Sequence, residues 1–279
     1  MAINLSNAFV TLFDAEVKQA YQAAAVLRGA VRLRSGVEGS TYKFPKIGKG
    51  IAQVRIPQTD VSPLNVDYSQ VQVVLQDWIA AEYSDIFMQQ KVNFDERREL
   101  VQVVSNAIGR RHDQLVLDAL GASSTALQIS EDIGGTDTNM NVAKLRAAKA
   151  ALDKNNVPMN NRHIIIHANS LASLLGETAV TSSDFNTVKA LVQGDINTFL
   201  GFQFHVLGDR DEGGLPLDTD GRTCYAFHSQ AVGMAEGIAP KTEINYIPEK
   251  TSFLVASMFS AGAVAIDPEG IVEINCVEA

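Results

Sequence analysis

The sequence predicts an α+β fold, on three observations. Long amphipathic helical patterns occupy much of the chain before residue 160. Strand-like runs are gathered mostly behind it, four of them closing the chain. A two-stranded basic hairpin stands between the first helical pattern and the rest.

Taken in order, Ser6 caps a predicted N-terminal helix whose apolar stripe runs Phe9, Phe13, Val17, Ala20, Ala24, Leu27 and Val31. "RLRSGVEGS" ends it, with Gly36 and Gly39 as breakers. In residues 40–61, "TYKFPK" and "IAQVRIP" read as two strands turned by "IGKG". Lys43, Lys46, Lys49 and Arg55 make this hairpin basic, and Pro45 and Pro57 block its edges. A two-stranded hairpin is marginal alone in water, so it is expected to lie on another surface, its own domain or another molecule.

"SQVQVVLQDWIAAEYSDIF", 69–87, alternates at Val71, Val73 and Leu75 and predicts one long strand. A helix follows over 94–120, capped by Asn93 or Asp95, with Leu100, Val104, Ala107, Ile108, Leu115 and Ala119 as its buried face. Within it, "GRRHD" at 109–113 is a polar turn expected to touch a neighbouring element. The polar loop "EDIGGTDTN", 131–139, marks a boundary. Behind it come a second amphipathic helix stopped by Pro158, a buried strand "HIIIH", and a short helix capped by Asn169 or Ser170. In "VKALVQGDINTFLGFQFHV", 188–206, Gly194 and Gly201 are too far apart for a phosphate loop and no Lys-Ser/Thr pair follows. The stretch reads as helix end, turn and strand, with Phe202, Phe204 and Val206 in the core. The closing strands are "TCYAFHS", "TEINYIP", "SFLVASMFSAGAVAI" and "IVEINCV".

Composition sets the broad class. The 279 residues are 46% hydrophobic and 20% charged, enough for one or two sizeable cores. No segment approaches the roughly 20 apolar residues of a membrane helix. No basic region followed by an apolar core opens the chain, which predicts no signal peptide. Cys224 and Cys276 are read as small apolar strand residues rather than a disulfide or zinc site. The formal net charge of −9 and pI near 5.0 argue against a general nucleic-acid binder, whose footprint would be basic.

Chemistry-bearing clusters are few. His163 and His167 share one side of a strand about 13 Å apart at ~3.3 Å per residue, too far for one metal. Asp209, Asp211, Asp218 and Asp220 partly match a calcium loop, but the terminal Glu of the twelve-residue pattern is missing, and a solvated turn is the simpler reading. Neither a nucleophile elbow nor a dinucleotide or phosphate-loop fingerprint occurs. No catalytic, cofactor-binding or metal-binding residue is assigned.

The order of these parts, with "GDINTFLGFQF" at 194–204, "AFHSQAVG" at 226–233 and "GAVAIDPEGIVEI" at 262–274, resembles the major capsid proteins of tailed double-stranded-DNA bacteriophages, the HK-ninety-seven fold. The resemblance covers nearly the whole chain. It implies an N-terminal helical arm (1–39) and an extended hairpin loop (40–68) lying over an adjacent subunit. It implies a peripheral domain (69–140, with spine helix 94–120, completed by 249–270) and an axial α/β domain (141–248, completed by 271–279).

It also implies a structural protein and not an enzyme, self-assembling into hexamers and pentamers of an icosahedral head. Such a shell encloses double-stranded DNA without sequence-specific binding. The implied partners are a separate scaffolding protein, since little chain precedes the hairpin, a portal protein and a decoration protein. The implied location is the virion, assembled in the host cytoplasm. Some relatives cross-link a hairpin Lys to an Asn. Lys43, Lys46 or Lys49 offers the amine, but no matching Asn stands out, and no cross-link is expected. The alternatives are an encapsulin-like compartment shell with the same fold, and a soluble α+β enzyme with a metal at 209–220.

Overall fold

The computed structural model describes residues 25–58, 60, 63–91, 95–123, 127–177, 198–210, 212–218 and 221–278. Most of the predicted N-terminal helix, and 188–197 of the glycine-bearing stretch with Gly194, lie outside them.

In chain order the elements begin with β1 (Arg32–Ser35), β2 (Thr41–Ile47), β3 (Tyr68–Val74), β4 (Gln76–Asp85), α1 (Ile86–Gln89), α2 (Glu96–Gly121) and β5 (Gln128–Ile129). They continue with α3 (Val142–Lys154), β6 (Arg162–His167), α4 (Ala168–Gly176), β7 (Thr198–Phe199), β8 (Phe202–Leu207) and β9 (Leu217–Asp218). The chain closes through β10 (Gly221–His228), β11 (Val232–Ile247), β12 (Ser252–Ala265) and β13 (Ile271–Val277).

These strands form three sheets: β1-β11-β12-β4; β5-β13-β10-β6-β8-β7 with β9 beside β10; and the pair β2-β3. The second sheet is the deepest part of the molecule. All six residues of β6 are buried, as its apolar run demands of a central strand, and it pairs parallel to β8 and antiparallel to β10. Leu145, Ala148 and Leu152 of α3 join this core, and Asn141 caps the helix by accepting from the Lys144 N–H at 2.7 Å.

Helix α2 packs on β4, β11 and β12 and is the spine of the first sheet's core. Its 26 residues span about 39 Å. Asp95 is its cap, and Asn93 lies outside the described residues. Val104, Ile108 and Ala119 are buried as expected. His112, Asp113, Val116, Leu117 and Leu120 are buried as well, because the helix is covered from more than one side.

Several expectations are corrected. Residues 25–31 form a turn, not the end of a helix, and Arg32–Ser35 is a strand parallel to β11. The hairpin pairs Thr41–Ile47 with Tyr68–Val74, not with "IAQVRIP", which forms no strand. Val71 and Val73 stand opposite Phe44 and Tyr42, and this pairing buries Phe44 and Val73 together against Ala235 and Ile266. The predicted strand 69–87 is therefore two strands. Between them the Leu75 N–H donates to the Ser40 carbonyl, and the chain changes sheet. The short helix is capped by His167, whose Nδ1 accepts from the Asn169 N–H, rather than by Asn169 or Ser170. Phe202 is fully buried, Phe204 half-buried, and Val206 is 39% exposed beyond the reach of the core. β11 runs antiparallel to β12 almost end to end, so the expected boundary at 248 falls between two partners of one sheet.

Candidate assembly surface

The basic limb has two parts with opposite characters. Its base is built into the chain's own core. Phe44 and Val73, 1% and 3% exposed, pack with Ala235 and Ile266. Gly262 is where the limb crosses β12; an added Cβ would stand 2.2 Å from the Val74 carbonyl oxygen. Lys46 pairs with Asp267 at 2.9 Å and Lys49 with Glu269 at 2.8 Å. The Glu269 carboxylate holds the Lys49 pKa above its ordinary value. Of the two surfaces open to the hairpin, its base takes its own domain, and the implication that the hairpin as a whole lies over an adjacent subunit is corrected for this part: two of its lysines are neutralised by the Asp267-Pro268-Glu269 turn of the same chain.

The tip is different. Beyond Lys49, the segment 50–66 carries Ile51, Val54, Ile56 and Leu64, exposed by 83, 92, 62 and 54%. Single exposed apolar residues are ordinary, but four on one protruding segment mark a contact surface. Ile79 and Tyr83 of β4, and Phe87 beyond it, are exposed apolar side chains as well.

A buried polar junction ties three parts of the chain together. Glu236 of β11, with no exposed area, accepts from Arg28 Nε at 3.1 Å and Nη2 at 2.8 Å, and stands 3.1 Å from His112 Nε2. Asp113 accepts from the backbone N–H groups of Val26 and Leu27 and lies 3.4 Å from Arg210. Burial pulls His112 below its ordinary pKa and pushes Asp113 up, against the lowering effect of its backbone donors. The "GRRHD" turn thus does touch neighbouring elements: Arg111 pairs with Glu212 at 3.0 Å and stacks over Trp78.

The residues weighed for chemistry are used structurally. His163 Nδ1 is 3.0 Å from His205 Nε2, with Phe227 beside the ring. Burial, then His205 and His228, pull His163 down to about 4. His167 faces Asp209 and Glu278, which also hold Arg222. Asp209 is therefore spent on an internal arginine, Asp218 lies on β9, and Asp211 and Asp220 lie outside the described residues. Among the described residues no three His, Cys, Asp or Glu converge on a point where a metal would sit. Cys224 and Cys276 are buried on adjacent strands, but the register sets Arg222 opposite Cys276 and Ile274 opposite Cys224. Both are free thiols, and across that diagonal their side chains are close enough to hydrogen-bond each other. Sequence reasoning missed Glu236 and Arg28, because a lone Glu in "GMAEG" carries no local sign of its partners.

Known proteins resemble this architecture throughout. The family model for phage capsid protein matches residues 5–278. The major capsid protein of Escherichia phage T7 is 21% identical over 239 residues, covering 77% of this chain and 69% of that one. The capsid of cyanophage P-SCSP1u superposes with a TM-score of 0.75 at 17% identity, over 100% of this chain and 96% of its own. The head structure of Helicobacter pylori bacteriophage KHP40 superposes at 0.78 and 12% identity, over 98% of each chain. The anchored limb with its bare apolar tip, on a fold shared along the whole chain, agrees with them: the chain belongs to the phage capsid protein family, as a structural subunit of the tailed-phage head and a component of the virion, not an enzyme.

Proposed function

We propose that this subunit forms hexamers and pentamers that close into an icosahedral shell around double-stranded DNA, the limb at 48–67 reaching over an adjacent copy. The single observation that supports this reading is the contrast within the limb: a base fixed by Phe44, Val73 and two ion pairs, and a tip with four exposed apolar residues. A fixed base points the tip outward, and burying it against a neighbour removes apolar area from water at about 25 cal/mol per Å². Each such contact is modest, but a closed shell repeats it many times, and multivalency makes it durable.

In this reading the peripheral domain comprises α2 with the β1-β11-β12-β4 sheet, and the axial domain comprises α3, α4 and the second sheet. The net charge of −9 lets DNA pack inside without adhering. Assembly takes place in the host cytoplasm with a separate scaffolding protein and a portal.

Size-exclusion chromatography with negative-stain microscopy of the purified chain tests the reading. Very large closed particles, or pentamer- and hexamer-sized rings, are expected. A stable monomer at high concentration, with and without scaffolding protein, would overturn it.

A further inference from the structure

The chain has only two cysteines, Cys224 in β10 and Cys276 in β13, and folding sets them side by side. Both are buried, on strands that pair antiparallel, diagonal to one another across the pair. Between them in sequence lie β11 and β12. The chain leaves the second sheet at β10, builds two strands of the first, and returns at β13. A bond between the two sulfurs would join the exit and the return of that excursion, closing a loop through both sheets.

The surroundings are not those of inert core thiols. Cys224 Sγ lies 4.0 Å from the Oγ of Ser170, in the first turn of α4, and the His167 N–H also reaches the sulfur. Lys144 is fully buried, and its Nζ donates to the Thr138 and Asn275 carbonyls, the second belonging to the residue before Cys276. Both acceptors are neutral, and the charges that favour this ammonium most are those of Cys276 and Cys224, ahead of Glu131 and Asp132. A cation beside a thiol favours the thiolate, which is the reactive form. Hydrogen bonds from Cys276, His167 and Ser170 hold Cys224 below its ordinary pKa against its burial. The contact with Cys224, together with burial, pushes Cys276 up. Cys224 is thus the thiolate former and Cys276 its protonated partner.

We propose that Cys224 and Cys276 form an oxidation site: free thiols in a subunit made in a reducing cytoplasm, and one intrachain disulfide once the particle meets peroxide outside it. The timing rests on the shell reading above; the pairing rests on the fold alone. Hydrogen peroxide is small enough to enter a core through local opening. The Cys224 thiolate attacks one peroxide oxygen, the O–O bond breaks, and a sulfenic acid forms as hydroxide leaves. The Cys276 sulfur then attacks Cys224, the S–O bond breaks, and the hydroxyl departs with the Cys276 proton as water. Hydroxide takes up the proton that Cys224 gave, so two thiols and one peroxide yield one disulfide and two waters. Diagonal neighbours of an ideal sheet stand about 7–8 Å apart, the far limit of a disulfide's span, so the bond closes with a small approach of the strands. A bond made under such strain is readily reduced again, which makes the step reversible.

The test uses particles of the full chain, assembled under dithiothreitol, freed of it and treated with hydrogen peroxide. After catalase the protein is denatured and its free thiols are alkylated with a maleimide carrying polyethylene glycol. Two adducts per chain are expected before treatment and none after, with the chain lighter by two hydrogens and both thiols restored by dithiothreitol. Oxidation should raise the thermal midpoint by at least about 4 °C, from the typical worth of a disulfide in a chain of this size. Cys276→Ala should show no such rise, and its Cys224 should stop at the sulfenic acid and take up dimedone. Particles that keep two alkylatable thiols, gain oxygen instead of losing hydrogen, or link chain to chain on a non-reducing gel would overturn the staple and leave the shell reading standing. A disulfide with an unmoved midpoint would overturn it as well. An intrachain disulfide in a chain that forms no particles would keep the pairing and bring down the shell reading.

Discussion

The second sheet and the limb tip are built from the same kinds of residue and behave oppositely. In β6, Ile164, Ile165 and Ile166 have no exposed area, enclosed by β8, β10 and the helices. In the tip, Ile51 and Val54 are almost fully in water. The difference is not hydrophobicity but whether the chain itself provides the covering surface. The first region is completed by folding, the second only by another copy. Substitutions in the two should therefore separate folding from assembly.

The sharpest separation comes from Phe202→Ala. Phe202 is fully buried where β8 enters the second sheet after the Gly201 turn, whose φ of +88° glycine tolerates without strain. Truncating a buried Phe costs about 3–5 kcal/mol, a large share of the ~5–15 kcal/mol that holds a domain. Urea unfolding of the isolated subunit should show that loss. Assembly should fail only because the fold does. An unchanged midpoint would place Phe202 outside the core.

A second effect lies in the same region and is driven by acid. His163 and His205 meet at 3.0 Å; burial opposes protonation of both rings, and His205 and His228 add to that effect at His163. The folded His163 pKa is lowered to about 4 from 6.5, and burial lowers His205 as well. Between those values the unfolded chain binds more protons than the folded one. The stability from this pair is thus complete above about pH 6.5 and is lost as pH falls toward about 4. Thermal melts across that window should fall more steeply for the parent than for His163→Phe, with the limb unaffected. Equal slopes would show that other groups carry the acid response.

What was legible in the sequence follows the same division. The α2 spine, α3, β6, β10, β12 and β13 were readable because each buries a full apolar face, and periodicity reports burial. The limb was readable as basic, glycine-turned and strand-like, but its pairing was not. "IAQVRIP" has strand chemistry without a strand in its own chain, and local pattern does not say which molecule supplies the partner. β1 and the first half of β11 escaped notice because "RLRS" and "GMAEG" carry little apolar alternation. They are held by ladder bonds and by the Arg28–Glu236–His112 junction, whose members are far apart in sequence. The spacing of His163 and His167 marked both as strand residues on one side. It gave no hint that their partners would be His205 and Glu278.

The smallest folding effect belongs to the limb's base. Lys46→Glu removes an ion pair with Asp267 in which both side chains are more than a third exposed, and sets two carboxylates side by side. Pairs of this exposure contribute about 0–1 kcal/mol and are screened by salt. Phe44 and Val73 still hold the strands, so the isolated subunit should melt within a few degrees of the parent. Particle formation should suffer far more, because the pair sets the direction in which the tip leaves the body, and raised salt should narrow the gap between variant and parent. Melting temperature and particle yield measured on one preparation decide it. A subunit that loses stability in step with yield would mean that Lys46 belongs with the core, and that folding completes the limb's base and its direction together.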